Sequence, residues 1–309
     1  MKKVFIDGYA GTTGLRIYER LSSRKDIQLL TLTEETRKDI NARKHALNES
    51  DIAFLCLPDD AAKESVSLID NPNTAVIDTS TAHRVNPDWA YGLPELKSQR
   101  EKVKASKRIA NPGCHATGFI VLVAPLVQEG IIAKDSRLSC FSLTGYSGGG
   151  KKMIADYESN ERSHMLDAPR QYGITQAHKH LPEMTKVSGL NVAPVFCPVV
   201  ADYYAGMEVT VSIHGHDVKG GIAKIKECYS DYYHDGVINF TDKDTFSEGN
   251  FISAGAFAGR DDLEVCVYGN DERMILVSRF DNLGKGASGA AIQNMNILLG
   301  VEESTGLVV

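Results

Sequence analysis

Cys114 has the setting of a nucleophile in this sequence. It follows the short apolar run 108–110 and the chain-breaking pair Pro112-Gly113, and it precedes a strongly apolar segment, 119–127, that is typical of a buried helix. Cys114 is therefore predicted to lie at a helix start, where unpaired N–H groups and the positive end of the helix dipole favour a thiolate. We predict that Cys114 is a catalytic nucleophile.

Two histidines, His178 and His180, could supply acid–base chemistry to such a nucleophile. Because one residue separates them, they would share a face of a strand or lie side by side in a loop. No metal site is predicted, since no further ligands occur at a suitable spacing. A structural role beside the turn at Pro182-Glu183 stays open. An acid–base role competes with it once a nucleophilic cysteine is present, although the residues alone do not rank the two histidines.

A glycine-rich turn could hold a cofactor. The residues Gly8-Tyr9-Ala10-Gly11-Thr12-Thr13-Gly14 stand between a predicted strand, 3–7, and a predicted helix, 15–21. In that context the glycines would let the backbone approach a pyrophosphate, which the N–H groups at the helix start would bind. The pattern G-x-x-G-x-x-G predicts a dinucleotide site, with a plain tight turn as the alternative.

The residues after the second predicted strand, 27–32, bear on which dinucleotide is bound. An acidic residue of the pair Glu34-Glu35 could hold a ribose 2′-hydroxyl, which favours NAD. Thr33 and the pair Arg37-Lys38 could instead hold a 2′-phosphate, which favours NADP. A solvated charged loop fits the same residues, so this segment alone leaves the cofactor open.

A second candidate anion site lies in segment 144–152, where glycines precede Lys151-Lys152. The backbone from Ser147 through Gly148 to Gly150 could form a cradle of N–H groups for phosphate or cofactor. The spacing is not that of a P-loop. A flexible loop with solvated lysines is the equally weighted alternative.

Strands and helices alternate in the part of the chain that must position these residues. Strands are predicted at 3–7, 27–32, 51–58 and 75–78, and helices between them at 15–21 and 59–69. This alternation predicts an α/β fold with a Rossmann-type doubly wound parallel sheet. Such sheets bind ligands beyond the carboxyl ends of their strands, so Arg84 in the loop 79–84 is the first choice for a substrate contact.

The second half of the chain predicts an α+β catalytic and dimerisation domain with a large mixed sheet. Segments 191–213 and 263–280 are rich in β-forming residues, and a helix is predicted between them at 218–233. The tail after Asp281 is expected to return to the first domain as an apolar helix. The predicted domains are 1–113 plus 284–309 for dinucleotide binding, and 114–283 for catalysis and oligomerisation.

Composition excludes several classes of partner. The chain has 309 residues with a formal net charge of −6, which gives no general attraction for nucleic acid or an anionic membrane. No apolar run approaches the roughly 20 residues that cross a bilayer. The N-terminus reaches Asp7 and Gly8 too soon for a signal peptide, so a cytoplasmic protein is expected. Its six scattered cysteines are expected to be mostly free thiols.

Taken together, the motifs resemble the N-acetyl-γ-glutamyl-phosphate reductase family in its shorter form, within the superfamily of aspartate-semialdehyde dehydrogenase and glyceraldehyde-3-phosphate dehydrogenase. Six segments carry the resemblance and run in family order: 8–14, 78–84, 93–95, 111–114, 178–183 and 282–287. The resemblance implies an NADP-dependent enzyme of arginine biosynthesis, usually a homodimer or homotetramer. It would reduce an acyl phosphate to a semialdehyde through a thioester on Cys114.

The resemblance also implies roles for other residues. It favours His180 as the acid–base group, with His178 and Tyr172 close to the site. Three residues of the tail would border the nicotinamide if the tail returns to the first domain: Asn282, Lys285 and Gly286.

Two other functions remain open from the sequence. One is another enzyme of the superfamily, such as an aspartate-semialdehyde dehydrogenase acting on a related acyl phosphate. The other is a dinucleotide-binding sensor without catalysis. In that protein Cys114 would be a packed thiol and the segment 178–180 a surface turn.

Overall fold

The chain divides into two units in its structure, a computed structural model that describes residues 1–234, 236–242 and 249–309. One unit consists of 1–112 and 287–307, and the other of 113–286 and 308–309. The domain limits given above stay a prediction. Within the described ranges, no helix is both long and apolar enough to cross a membrane.

The first unit contains a six-stranded sheet in which every neighbouring pair is parallel. Its strands, in the spatial order β2-β1-β3-β4-β6-β5, are β1 (Lys2–Asp7), β2 (Ile27–Leu30), β3 (Ile52–Leu55), β4 (Ala75–Asp78), β5 (Ala90–Tyr91) and β6 (Arg108–Ala110). Its helices are α1 (Thr12–Leu21), α2 (Ile40–Glu49), α3 (Asp59–Ser67), α4 (Gln99–Ala105) and, near the C-terminus, α9 (Gly289–Leu299).

Successive residues of β1 enter two different apolar cores, because side chains alternate across a strand. Val4 and Ile6 pack in a core with residues of α1, α4 and α9. Phe5 packs in a second core with residues of α2 and α3. Helices therefore cover both faces of the sheet, and the predicted doubly wound fold is confirmed.

The second unit contains a seven-stranded sheet, which confirms the predicted large mixed sheet. Its strands, in the order β11-β12-β13-β10-β7-β9-β8, are β7 (Ser139–Gly145), β8 (Arg170–Gln171), β9 (Val195–Ala201), β10 (Met207–His214), β11 (Ile238–Phe240), β12 (Leu263–Gly269) and β13 (Arg273–Phe280). Its helices are α5 (Cys114–Gln128), α6 (Gly150–Glu158), α7 (Leu181–Ser188) and α8 (Gly221–Tyr232).

Helix α5 is the centre of the second unit's core. All residues from His115 to Val127 are buried, so the helix is apolar and covered on every side. It lies close to the sheet at Gly118, where a Cβ would overlap the side chain of Val209 on β10. Pro125 lies inside the helix, which continues to Gln128.

The other face of this sheet carries side chains that remain accessible. Along β10, Val209, Val211 and Ile213 are buried, whereas Ser212 and His214 between and after them are exposed. We call this surface the outer face. Its exposed apolar side chains lie on three strands: Phe141, Val195 and Ile275.

Candidate active site

The predicted position of Cys114 is confirmed, since it is the first residue of α5. The preceding Gly113 has extended backbone angles, φ −80° and ψ 148°, and no side chain to cap the helix. The Thr117 backbone N–H donates to the Gly113 carbonyl at 2.8 Å, and its hydroxyl donates to the same oxygen at 3.0 Å. Cys114 is half-buried, so its thiol lies at a helix N-terminus that a ligand can approach.

Two neighbouring segments fix the turn that carries Cys114. Glu183 on α7, which is 1% exposed, accepts a hydrogen bond from the Gly113 N–H at 3.3 Å. Gly286 lies against Cys114, because a Cβ at that position would be 2.9 Å from the Cys114 Cβ. Gly286 was predicted to border the nicotinamide, which stays a prediction; its observed neighbour is Cys114. Glu183 had no role in the sequence-based prediction.

The predicted histidines His178 and His180 lie together, and a third histidine joins them. The rings of His178 and His180 are 4.7 Å apart between centroids, and the His180 backbone N–H donates to His178 Nδ1 at 3.2 Å. The ring of His115, which follows Cys114 directly, is 5.7 Å from His178 and 5.5 Å from His180. The segment containing His178 and His180 is a loop, with His180 immediately before α7.

His115 was missed by the sequence analysis, although its place after Cys114 was a visible signal. It is 3% exposed, and its Nδ1 lies 2.7 Å from the Ser142 hydroxyl. Its Nε2 lies 2.6 Å from the hydroxyl of Tyr172, which places that predicted residue in the same cluster. Burial, and secondarily the charge of His178, lowers the pKa of His115 to about 3. His115 is therefore neutral at pH 7.

The ionisation of the neighbouring groups also follows from burial. Burial raises the pKa of Tyr172 above its ordinary value of 10, and the charge of Cys114 raises it further. Burial lowers the pKa of His178 below 6.5, with a second contribution from the charge of Lys179. The Tyr172 phenol and the His178 imidazole are thus neutral at pH 7. In the described ranges, no group of three or more His, Cys, Asp and Glu side chains could hold a metal ion.

The glycine turn of the first unit fits a dinucleotide pyrophosphate. Gly8 has φ +88°, and a Cβ there would overlap the Cys56 carbonyl oxygen. A Cβ on Gly14 would be 2.5 Å from the Gly8 carbonyl oxygen. Gly11 precedes α1, whose first turn contains Thr12 and Thr13. These glycines bring the backbone close to the space at the helix start, as a pyrophosphate requires.

A cavity of about 260 Å³ adjoins this turn, lined among others by Gly8, Tyr9, Arg37 and Lys38. Arg37 pairs with Glu34 at 2.6 Å, and Glu34 also accepts from the Tyr9 hydroxyl at 3.1 Å. Glu34, which favoured NAD in the sequence analysis, and Arg37, which favoured NADP, are therefore bound to each other. Thr33 lies in the turn before Arg37, whose N–H donates to the Thr33 carbonyl at 2.9 Å.

Arg84 lies in the loop after β4, but its guanidinium already has backbone partners. Its Nε donates to the Asn111 carbonyl at 2.9 Å and its Nη2 to the Thr79 carbonyl at 3.0 Å. Asp78, at the end of β4, binds His83 Nδ1 at 2.6 Å. Arg84 and His83 thus fix the loop and the segment before Cys114. The substrate contact of Arg84 stays a prediction.

Segment 144–152, in which a cradle of N–H groups was predicted, is largely helical in the structure. A 3₁₀ turn, 146–149, leads directly into α6. The N–H groups of Tyr146, Ser147 and Gly150 donate to the carbonyls of Tyr203, Tyr204 and Ser147, so these three cannot hold an anion. As cofactor contacts, Ser147 and Gly148 stay a prediction.

The tail residues Asn282 and Lys285 are buried. The Asn282 amide accepts from the Gly206 N–H at 3.0 Å and donates to the Ser147 hydroxyl at 2.9 Å. Both ends of this side chain therefore hold parts of the second unit together. Lys285 is 0% exposed. Their contacts with a nicotinamide stay predictions.

Two family descriptions match the chain. Residues 3–106 match the semialdehyde dehydrogenase NAD-binding domain, and residues 114–282 match the semialdehyde dehydrogenase dimerisation domain. An N-acetyl-gamma-glutamyl-phosphate reductase 2 from Nostoc sp. is 42% identical, covering 99% of each chain. The N-acetyl-gamma-glutamyl-phosphate reductase from Brucella anthropi is 43% identical, covering 96% of this chain and 98% of its own.

Solved structures with a similar fold are aspartate semialdehyde dehydrogenases. The enzyme II from Vibrio cholerae superposes with a TM-score of 0.71 at 16% identity, covering 97% of this chain and 99% of its own. The NADP complex from Candida albicans superposes with a TM-score of 0.69, also at 16% identity, with the same coverage. At this identity, the likeness concerns the fold.

Proposed function

The chain belongs to the semialdehyde dehydrogenase family and, within it, to the N-acetyl-gamma-glutamyl-phosphate reductases, and from this membership we propose how its residues perform the reaction. It is an NADP-dependent oxidoreductase of arginine biosynthesis. It reduces N-acetyl-γ-glutamyl phosphate to N-acetylglutamate semialdehyde and releases phosphate. The observation that supports a role for Cys114 is its position at the start of α5, directly before His115, whose ring lies near those of His178 and His180.

Cys114 acts as the nucleophile. Its thiolate attacks the acyl carbon, a C–S bond forms, and the C–O bond to phosphate breaks. The resulting thioester separates phosphate departure from reduction, which a single step would otherwise have to combine. When bound, NADPH supplies the hydride that takes the thioester to the aldehyde level. The C–S bond then breaks and returns the thiolate.

A histidine transfers the proton at the oxygen of the thiohemiacetal on Cys114. We assign this role to His180, with His178 beside it. The His180 N–H bond to His178 Nδ1 orients the His178 ring. The His178 ring is neutral at pH 7, so it places no positive charge beside His180.

The first unit holds the cofactor. Backbone N–H groups after Gly11 would bind the pyrophosphate, and Arg37 and Lys38 in the adjoining cavity would bind the 2′-phosphate. The substrate carboxylate and phosphate need cationic or N–H partners, and Arg84 is the proposed cation. Tyr172 is the proposed hydroxyl contact beside Cys114.

The test is to trap the acyl-enzyme in the absence of reduced cofactor. The protein is mixed with the acyl phosphate, quenched in acid and analysed by intact and peptide mass spectrometry. We expect one N-acetylglutamyl group on Cys114 and none in Cys114→Ser. Cys140→Ser, which changes a buried thiol, is the matched control and should still be acylated. Acylation of another residue, or none in the active wild type, would contradict the proposal.

Substrate preference separates this enzyme from its superfamily relatives. In the reverse direction, with NADP and phosphate, we expect turnover of N-acetylglutamate semialdehyde and little of aspartate semialdehyde. Preference for the shorter aldehyde would reject the named substrate. A dinucleotide sensor would turn over neither.

The protein is proposed to form a homodimer or homotetramer through its outer face. Phe141, Val195 and Ile275 expose apolar area on that face, and all three lie in the part of the chain that matches a dimerisation domain. A second copy would cover them. We also place the enzyme in the cytoplasm, where its six free thiols would stay reduced.

A further inference from the structure

Two hydroxyl groups bind opposite nitrogens of His115. The Ser142 hydroxyl, on β7, lies 2.7 Å from Nδ1, and the Tyr172 hydroxyl lies 2.6 Å from Nε2. The ring packs against those of His178 and Phe196, at 5.7 and 5.3 Å between centroids. His115 thus joins the sheet to the residues around Cys114 through two short hydrogen bonds.

The His115 ring carries a single N–H group at neutral pH, because burial lowers its pKa to about 3. One nitrogen therefore donates and the other accepts. If Nδ1 carries the hydrogen, Ser142 accepts and Tyr172 donates to Nε2. If Nε2 carries it, Ser142 donates to Nδ1 and Tyr172 accepts.

Burial of Ser142 decides between these two arrangements. Ser142 is 0% exposed, and within the described residues its hydroxyl has His115 Nδ1 as its one partner. If His115 donated to it, the serine hydrogen would be buried without an acceptor, which is unfavourable. Ser142 therefore donates to Nδ1, and the His115 hydrogen resides on Nε2.

The orientation of the Tyr172 hydroxyl follows from this tautomer. His115 Nε2–H donates to the tyrosine oxygen, so the tyrosine's own hydrogen points away from His115. Tyr172 is partly exposed, and its hydrogen can therefore reach a ligand. The phenol keeps that hydrogen at neutral pH, since both burial and the charge of Cys114 raise its pKa.

We propose that Ser142 holds His115 as its Nε2–H tautomer, and that His115 thereby keeps the Tyr172 hydroxyl as a hydrogen-bond donor to an oxygen of the acyl group on Cys114. Ser142 and His115 are positioning residues, and Tyr172 contacts the substrate. The identity of the acceptor oxygen rests on the proposed function. The tautomer does not, because it is a property of the protein without substrate.

The tautomer is tested directly by nuclear magnetic resonance on protein labelled with ¹⁵N-histidine. Long-range correlations between ring protons and nitrogens distinguish the two tautomers, and the His115 signals are assigned by their loss in His115→Gln. We expect Nε2–H, unchanged from pH 6 to 8. An Nδ1–H ring, an equal mixture or an imidazolium would overturn the inference.

The effect on the reaction is tested with two replacements of similar size. Glutamine at position 115 keeps an N–H donor for Tyr172, whereas methionine keeps the volume and removes the donor. We expect kcat to fall about tenfold further in His115→Met than in His115→Gln, the size expected for one hydrogen bond to an oxygen that gains charge. KM should differ less, because the bond strengthens as that charge develops.

A third variant separates orientation of Tyr172 from general packing. In the Tyr172→Phe background no hydroxyl remains to be oriented, so His115→Met and His115→Gln should have equal kcat. A tenfold difference that persists in this background would assign the effect to packing and overturn the inference. If the wild type showed Nε2–H but did not reduce the acyl phosphate, the proposed function would fail instead.

Discussion

Cys114 and the glycines of the first unit are residues whose roles local sequence could indicate. A helix start and a strand–turn–helix are short patterns, and the structure shows both. His115 and Ser142 are different. They are 27 positions apart in the chain, and only the packing of α5 on β7 brings the Ser142 hydroxyl to the His115 ring. No local pattern reports such a pair.

The same explanation applies to Asn282, which lies in a recognisable motif. Its partners, Gly206 and Ser147, come from distant segments. The oxygen and the nitrogen of the Asn282 amide both form hydrogen bonds within the second unit, and the motif alone could not predict these bonds. The motif indicated that Asn282 is important, but its hydrogen-bond partners could be identified only from the folded structure.

Cofactor preference gives a prediction at the scale of one residue. Glu34 forms an ion pair with Arg37, the residue proposed to bind the 2′-phosphate. Glu34→Gln removes that pairing and a negative charge from the edge of the cavity. We expect NADPH to bind about threefold more tightly, the scale of an exposed ion pair, and NADH to change little. Fluorescence titration of binding gives both values. Glu35→Gln removes the same charge from a side chain bonded to Thr33, so an equal gain there would refute the role of Glu34.

Stability against acid is a second residue-scale prediction. Folding lowers the pKa of His115 from 6.5 to about 3, so between these values the unfolded chain binds a proton that the folded chain does not. Stability should therefore fall as pH drops through this window, by about 2 kcal/mol at pH 5 relative to pH 7.5. Urea unfolding at both pH values measures the loss.

His115→Gln is the control for this effect, because glutamine does not titrate. Other groups titrate in both proteins and cancel in the comparison. The variant should lose about 2 kcal/mol less than the wild type between the two pH values. Equal losses in the two proteins would show that His115 is not the group responsible.

The longer strands and the most apolar helices were predictable, because their apolar patterns are local, whereas α2, α4 and α7 were not predicted. The segment 144–152 was predicted as a loop, since its glycines are typical of one. It becomes a 3₁₀ turn followed by α6, in which Tyr146 stacks on Tyr157 at 4.7 Å and the backbone bonds to the segment before β10. Tertiary contacts there outweigh the low helix propensity of glycine.

The close approach of α5 to its sheet gives an element-scale prediction. Alanine is a better helix former than glycine by about 1 kcal/mol, so Gly118→Ala would stabilise an exposed helix. Here the new methyl group would overlap Val209 and lie 2.9 Å from both Phe280 and the Ser278 hydroxyl. We expect a net loss of about 1–3 kcal/mol in the free energy of unfolding, measured with urea.

Gly255→Ala is the matched control, because its Cβ would lie 3.6 Å from the nearest side-chain atom, the Ser253 hydroxyl. Its stability should stay within about 0.5 kcal/mol of the wild type. If Gly118→Ala were equally well tolerated, α5 would be less closely packed than described.

At the scale of the whole molecule, the residues of β10 alternate between a covered and an accessible face of the sheet. The sequence could not predict what covers the accessible face, because contact with a second copy is not encoded as a local pattern. Phe141 on β7 is 44% exposed at the proposed contact. Phe141→Asp would place a charge there, which a closed apolar interface does not tolerate.

We expect Phe141→Asp to shift the protein towards monomers, as measured by light scattering coupled to size-exclusion chromatography. Phe251→Asp is the control, since Phe251 is 77% exposed and lies outside the outer face. The control should keep the oligomeric state of the wild type. An unchanged oligomeric state in Phe141→Asp would show that the interface lies outside the outer face.

The burial of α5 from His115 to Val127 links inactivation to unfolding. Amides of a helix enclosed on every side exchange with solvent mainly when the surrounding core opens, so α5 belongs among the last segments to lose protection. Cys114 begins that helix, whereas the cofactor turn belongs to the other unit. If the first unit opened alone on heating, dinucleotide binding would be lost and regained while Cys114 stayed in place. Irreversible loss of activity would then follow the rate at which the second unit opens.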